Sequence, residues 1–438
     1  MEWYYIALIL FASLFFLLFL GMPVAFCFIF INIMGGIFVL GGEKGLNQLI
    51  LSTFESVSTF SLAPVSLFVF MGEILFHSGV ALIVIDAADK AFLGPLPGRL
   101  SLLTVGTSAG LSAMSGSTVG TTALLGSMLL PEMRRRGYSK LMSLGPILGA
   151  GGLAIMIPPS GLAVILGALA RISIGKILIG GLIPGLLMAV LYAGYIIIRC
   201  RLNPALAPSY DVTPVPWSQK IISISKSILP VGLLFFLVVG LIILGIATPS
   251  EAAAAGCFGA LMLTVFYRKF RLSVVKKSLR GTLHITVMIF MIIAGAKGYS
   301  QILAFTGATR SLAEVASTLP IAPILIIVAM QVVLLFLGMF MDQTAMMMIT
   351  LPVYMPIIQA LRFDPVWFGV LVLINLEIAF TSPPFGALLF VMKGVAPPDT
   401  SMADIYRATI PFIMCDLIAM GLIMIFPAIA TWLPGLII

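Results

Sequence analysis

A chain of 438 residues with 61% hydrophobic and only 9% charged residues, and a mean hydropathy of +1.19, lies far outside soluble usage, where about a quarter of residues carry charge. No sizeable soluble domain fits anywhere, so the composition specifies a polytopic membrane protein with room for roughly ten crossings at about 20 residues each. The net charge of +8, from 24 basic and 16 acidic residues, sits in short loops and reads as a topology signal, while Cys27, Cys200, Cys257 and Cys415 have no paired spacing and exclude a metal cluster or disulfide framework.

Met1-Glu2-Trp3-Tyr4-Tyr5 has no basic leader and no small-residue cleavage site, so the first span is expected to be retained. Helices are expected from Tyr5 to Leu20, Pro23 to Leu40 and Phe60 to Phe76, then an amphipathic stretch from Val80 to Phe92. The segment from Leu96 to Met133 could cross twice, yet Arg99 flanks its start and Arg134-Arg135-Arg136 with Lys140 its end. Basic flanks favour the cytoplasm. Two cytoplasmic ends with Ser115-Gly116-Ser117 at the midpoint predict a re-entrant helical hairpin, whose tip survives in a membrane only against protein or a cavity. Leu141 to Ala170 then crosses outward with a break at Pro158-Pro159, and Ile177 to Ile198 returns to Arg199 and Arg201.

A polar, Pro-rich linker from Asn203 to Lys226 joins two halves. Ile228 to Ile246 crosses outward and Ala252 to Phe266 returns to the basic cluster Arg268, Lys269, Arg271, Lys276, Lys277 and Arg280, read as a cytoplasmic loop. Leu283 to Leu303 crosses again, Thr309 to Leu319 is a second amphipathic stretch, and Ile321 to Leu361 forms a second hairpin entered from the outer face. This topology places 18 of the 24 basic residues inside, five outside and Lys297 within a span, with both termini outside.

The halves carry matched landmarks. Glu73-Ile74-Leu75 corresponds to Gln301-Ile302-Leu303, Ser115-Gly116-Ser117 to Asp342-Gln343-Thr344, and Pro158-Pro159 to Pro383-Pro384, at offsets of 228, 227 and 225. The expected fold is therefore all-α, an inverted-topology repeat with two re-entrant hairpins and two broken helices, the architecture in which discontinuous helices meet near the bilayer midplane. Proline lacks the N–H that the carbonyl four residues earlier would accept. Freed carbonyls suit a cation, and half-helix N-termini suit an organic anion. One sodium site is assigned to Ser115 and Ser117 with carbonyls near Ile157 and Pro158, and the other to Asp342, Thr344 and Thr381 with carbonyls near Pro383. Glu377 supports the second. Among the remaining intramembrane ionisable residues, Lys297 and Asp416 are read as buried pairs or as side chains reaching the interface, Glu73 is left open, and His77 and His284 are not ligands.

The runs Ser112-Ala113-Met114-Ser115-Gly116-Ser117, Leu130-Pro131-Glu132-Met133 with Arg136-Gly137-Tyr138, Ile157-Pro158-Pro159-Ser160, and Asp364-Pro365 through Asn375-Leu376-Glu377 to Pro383-Pro384 resemble the large membrane subunit of tripartite ATP-independent periplasmic (TRAP) transporters. The resemblance covers nearly the whole chain, with a more distant likeness to sodium-coupled dicarboxylate transporters. It implies an elevator in the bacterial inner membrane: scaffold halves at 1–95 and 228–318 with arm helices, transport halves at 96–200 and 319–438, and a cytoplasmic linker at 201–227. It also implies a small four-helix membrane subunit, not fused here because the first span begins near residue 5, and a periplasmic binding protein that delivers an organic acid. Gln343 and Phe385 depart from the family's usual residues and, with Gly116 and Ser160, are the candidate substrate contacts.

Sodium coupling is energetically sensible. One charge moving inward at about 100 mV releases about 2.3 kcal/mol, which supports roughly 40-fold accumulation. The chain has no phosphate-binding Walker pattern and no His-Glu-x-x-His or paired aspartates, so neither an ATPase nor a membrane-embedded enzyme is expected. The rival reading is a carboxylate symporter or ion exchanger of the same architecture that needs no binding protein.

Overall fold

The computed structural model describes residues 3–92, 96–115, 117–208 and 216–436. It is helical throughout these residues: α1 (Trp3–Phe19), α2 (Val24–Phe38), α3 (Glu43–Val57), α4 (Ala63–His77), α5 (Val80–Phe92), α6 (Arg99–Ser115), α7 (Thr118–Arg135), α8 (Lys140–Gly152), α9 (Gly161–Ala170), α10 (Ile174–Gly180), α11 (Leu182–Leu202) and α12 (Trp217–Ser223). Then follow α13 (Leu229–Ile243), α14 (Pro249–Phe266), α15 (Leu272–Phe305), α16 (Ala308–Thr318), α17 (Pro323–Gly338), α18 (Gln343–Ala360), α19 (Pro365–Thr381), α20 (Ala387–Val395), α21 (Met402–Ile425) and α22 (Ala428–Thr431).

Hydropathy allows roughly ten crossings, and the helices divide into long and short ones. Among the described residues five helices are long and apolar enough to cross alone: Ile174–Leu202, Ser218–Ile243, Pro249–Phe266, Leu272–Phe305 and Met402–Ile425. Six more apolar helices, including α1, α2, α17 and α19, have 10 to 17 residues. Local chemistry stops them early: α2 starts at Pro23, which has no N–H to donate, and Gly41 and Gly42 turn the chain at positive φ after it.

Three differences from the sequence reading have physical causes. α3 gives no span signal because Glu43, Lys44 and Glu55 dilute its hydropathy, yet it folds back on α2 and packs against α15. The close approach requires Gly45, where a Cβ would lie 2.7 Å from the Gly36 carbonyl. The basic cluster read as a loop holds, from Leu272 onward, the first turns of α15, a 34-residue helix about 51 Å long, so Lys276, Lys277 and Arg280 stand on helix rather than coil. The end of the linker is also helical: α12 continues through a π-turn at Ile224–Ile228 into α13. Residues 209–215, the middle of that linker, lie outside the described residues.

The helices pack in two groups. In one, α15 packs on α2 and α4, and α4 packs on α14; in the other, α8 packs on α6, α7 and α21, and α19 packs on α17 and α21. Exposed Phe16, Phe19, Phe236, Phe258 and Leu283 face outward from α1, α13, α14 and α15, as a lipid-facing surface does.

Ionic contacts tie distant segments at one end of the second group. Arg134 pairs with Asp399 at 2.6 Å, and Lys140 pairs with Asp404 at 2.7 Å while donating to the Asp399 carbonyl at 2.9 Å. Nearby, hydrogen bonds from the Arg135 and Arg136 guanidiniums hold the Glu132 carboxyl below the usual carboxylate range. The opposite end gathers α10, the start of α19 and the C-terminal turn, where Gly180 lies against Val366, Ala430 and Pro434. Part-exposed pairs are screened by salt. Lys140→Met should therefore lower the thermal midpoint at low ionic strength, and the difference from wild type should narrow in about 1 M salt, where the Debye length is about 3 Å.

Candidate functional site

Two helix breaks, each beside a hairpin tip, define the candidate site. In the first half α6 lies along α8, held by the Ser101 hydroxyl donating to the Met142 carbonyl at 2.6 Å and the Ser108 hydroxyl to the Ala150 carbonyl at 2.5 Å. Ser117 caps α7 with its hydroxyl oxygen accepting from the Gly120 N–H at 3.2 Å. Gly116 and the side chain of Ser115 lie outside the described residues. α8 tightens into a 3-10 turn at Leu153–Ile155, the chain is broken at Pro158-Pro159, and Ser160 caps α9 by accepting from the Ala163 N–H at 3.2 Å.

The carbonyls released by the two prolines belong to Ala154 and Ile155, four residues upstream and within the same turn of chain as Ile157 and Pro158. Ile157 and Pro158 are themselves buried. Pro159 borders a small pocket whose other walls are Met71 and Leu75 of α4 and Val231, Leu234, Phe235 and Val238 of α13. The first break thus meets α4 and α13 through apolar side chains.

In the second half Asp342 caps α18, its Oδ2 accepting from the Thr344 N–H at 2.9 Å. Gln343 donates through Nε2 to the Leu376 carbonyl at 2.8 Å, and Asn375 donates to the Gln331 carbonyl at 2.8 Å and its Oε1 at 2.9 Å. These amides lash α17 and α18 to α19 just before its break. Pro383 and Pro384 cannot donate to the carbonyls of Ala379 and Phe380; the Ala379 carbonyl accepts instead from the Ser382 N–H at 3.4 Å, which leaves that of Phe380 released. The Thr381 hydroxyl turns back to the Glu377 and Ile378 carbonyls, each at 3.2 Å, and the Thr381 carbonyl accepts from Thr409 at 3.3 Å. Tyr406 donates to the Pro384 carbonyl at 3.0 Å. A Cβ at Gly386 would lie 2.6 Å from the Phe380 oxygen, so only glycine allows the chain to fold back there. Both Pro-Pro bonds are cis.

The two breaks belong to one region, because α9 packs on α18 and α19, and α19 also meets the 3-10 turn after α8. Ser160, Gln343, Thr344 and Thr381 are buried, Pro383 is half-buried, and Ser117, Asp342 and Phe385 are exposed. Glu377 and Asp416, at 0% and 1% exposure, are the most deeply buried carboxyls of this region. The Phe385 ring lies tilted at 50° to that of Phe340 of the hairpin tip with centroids 5.9 Å apart, an aromatic pair at the mouth of the break. Asp416 does not pair with Lys297; the Tyr192 hydroxyl donates to it and lies 3.5 Å from Glu377. Glu73 pairs with His77 at 3.1 Å. Sequence reasoning missed Tyr192, since a tyrosine in an apolar helix carries no signal of its own.

Gln343 has a structural duty besides any contact with cargo. Gln343→Leu leaves a buried carbonyl without its donor and should cost about 1 to 3 kcal/mol of stability, read as a lower thermal midpoint. A residue that only contacted substrate would change apparent affinity and leave that midpoint alone.

The family described as "Tripartite ATP-independent periplasmic transporter, DctM component" matches residues 11–429. The C4-dicarboxylate TRAP transporter large permease protein DctM of Pseudomonas aeruginosa is 31% identical over 400 residues, covering 91% of each chain. The ectoine TRAP transporter large permease protein TeaC of Halomonas elongata is 30% identical over 430 residues, covering 98% of this chain and 99% of TeaC. Among solved structures, the Alcanivorax borkumensis YdaH transporter shares the fold at 13% identity with a TM-score of 0.64, over 88% of this chain and 89% of its own. On this match the chain is a multi-pass membrane protein that belongs to the DctM-component family, the large permease subunits of TRAP transporters.

Proposed function

We propose that the chain imports an organic acid with sodium ions, that a periplasmic binding protein delivers the cargo, and that a small four-helix membrane subunit completes the permease in the bacterial inner membrane. The observation that carries this reading is the pairing of a capped hairpin tip with a Pro-Pro break, twice, in one packed region. Helix N-termini there offer N–H groups to a carboxylate, and freed carbonyls offer oxygen to a hard cation. The first sodium site takes Ser115, Ser117 and the carbonyls of the first break; the second takes Asp342, Thr344, Thr381 and those of the second. Gly116, Ser160, Gln343 and Phe385 border the cargo. The named relatives handle C4-dicarboxylates and ectoine, both carboxylate-bearing solutes, which supports an organic acid as cargo.

The halves form an inverted repeat with both termini periplasmic. Element starts support it: α7 and α18 begin at Thr118 and Gln343, α8 and α19 at Lys140 and Pro365, and α9 and α20 at Gly161 and Ala387, all 225 or 226 residues apart. The breaks and hairpins at 96–200 and 319–438 move as a transport unit against the scaffold at 1–95 and 228–318. The apolar side chains that line the pocket at Pro159 suit such sliding.

The test is uptake of a labelled C4-dicarboxylate, succinate, and of ectoine, into proteoliposomes containing this chain, its small subunit and the cognate binding protein. Uptake that requires both an inward sodium gradient and the binding protein supports the reading. Uptake driven by a proton gradient contradicts the coupling, and uptake without the binding protein favours the self-sufficient symporter.

A further inference from the structure

We infer that Tyr192, Glu377 and Asp416 form a further cation site, apart from both hairpin tips, that holds a sodium ion between α11, α19 and α21. The inference rests on the sodium coupling proposed above only for the identity of the ion. The three side chains come from three helices and are at most 1% exposed. A phenol has one hydrogen to give, and Tyr192 gives it to Asp416. Glu377 then has its Oε1 at 3.5 Å from the same hydroxyl oxygen, at the limit of a hydrogen bond, and its Oε2 is fully buried with no partner.

Among the described residues no Lys, Arg or His pairs with either carboxyl. A further negative end faces the cluster. Gly152 ends α8, and a Cβ built there would fall on the Glu377 carboxyl, so this carboxyl is pressed against the C-terminal end of α8, where the helix dipole is negative. Two carboxyls, a phenol oxygen and a helix C-terminus thus converge in an apolar interior with no basic partner. Buried charges in proteins are paired or coordinate a metal ion, and an unpaired one is expensive. The donors are all hard oxygen, which selects a hard cation over a soft metal. Sodium beside Glu377 supplies the missing partner for Oε2 while Asp416 keeps its phenol hydrogen bond.

The position gives the ion a role. The Glu377 carbonyl accepts from Thr381 at the second break, and Leu376 next to it is held by Gln343 of the second tip. An ion on the Glu377 side chain therefore fixes the turn of α19 from which the second site hangs.

The test is equilibrium binding of sodium-22 to the purified full chain with its small subunit in lipid nanodiscs, for wild type, Glu377→Gln, Asp416→Asn, Tyr192→Phe and Asp342→Asn. Glu377→Gln is expected to lower the saturating count by a single ion, and combination with Asp342→Asn to lower it by one more. Tyr192→Phe, which keeps the ring, is expected to weaken the affected ion about tenfold, equivalent to about 1.4 kcal/mol; it serves if a carboxyl variant fails to fold. An unchanged count in Glu377→Gln, or unchanged affinity in Tyr192→Phe, overturns this site while leaving the tips untouched. Wild type that binds no sodium overturns the coupling as well.

Discussion

Asp342→Asn is expected to fold like wild type and to lose sodium-driven uptake by about 100-fold, the equivalent of about 2.7 kcal/mol of lost cation stabilisation. The choice of asparagine separates two duties of this side chain. Asp342 caps α18 through Thr344, and asparagine caps a helix about as well as aspartate. The substitution therefore keeps the cap and removes only the charge. Asp342→Ala removes both and should add about 1 kcal/mol of destabilisation. Thermal midpoint and initial uptake rate, measured on the same preparations, check the pair: full uptake in Asp342→Asn would reduce Asp342 to a cap.

Gly152→Val should cost more stability than Asp342→Ala, Gln343→Leu or Lys140→Met. The new Cβ would occupy the position of the Glu377 carboxyl, which is fully buried behind Tyr192 and Asp416 and has nowhere to withdraw. Overpacking a filled interior costs about 1 to 3 kcal/mol or more, and a displaced buried carboxylate adds to it. Even Gly152→Ala, which favours helix by up to about 1 kcal/mol in an open position, should be destabilising here. Gly194 in α11 is the control. Nothing lies within 4 Å of a Cβ built there, so Gly194→Ala should be neutral or slightly stabilising. Thermal unfolding of the three variants, read by loss of monodisperse protein after heating, makes the comparison; equal midpoints for Gly152→Ala and Gly194→Ala would contradict the packing described.

Much of the fold is legible in the residues because membrane-embedded breaks have few causes. Prolines in apolar sequence at Pro158-Pro159 and Pro383-Pro384 announce the interruptions, and both breaks occur there. Amphipathic Val80 to Phe92 and Thr309 to Leu319 are α5 and α16, within a residue or so. What hydropathy does not show is where polar sequence is nonetheless helical. Charged α3 and the basic first turns of α15 satisfy their backbones by helix formation outside the apolar stretch, and a mean over side chains does not see backbone hydrogen bonds.

The candidate site is legible at the level of segments more than of atoms. Ser117 and Asp342 stand out in the sequence as candidate sodium ligands and Ser160 as a candidate substrate contact, and in the structure each caps a helix, α7, α18 and α9. The carbonyls that lose a donor to proline are those of Ala154, Ile155, Ala379 and Phe380, as the four-residue reach of a helical hydrogen bond requires, and Ser382 satisfies Ala379 in its place. The meeting of Glu377 with Asp416 and Tyr192 spans three helices far apart in the chain, so no spacing rule could have supplied it.

The function proposed for this chain turns on two halves inserted with opposite orientation. The most direct measurement is the sidedness of single cysteines at the bases of the two hairpins, Arg135→Cys at the end of α7 and Gln359→Cys near the end of α18. Both positions are exposed, and the four native cysteines are buried, so background labelling should be low. With a membrane-impermeant maleimide, the Arg135→Cys variant should react only in inside-out vesicles and the Gln359→Cys variant only in right-side-out cells. Labelling of both from the same side would contradict the inverted arrangement, and with it the convergence of two broken helices on one site.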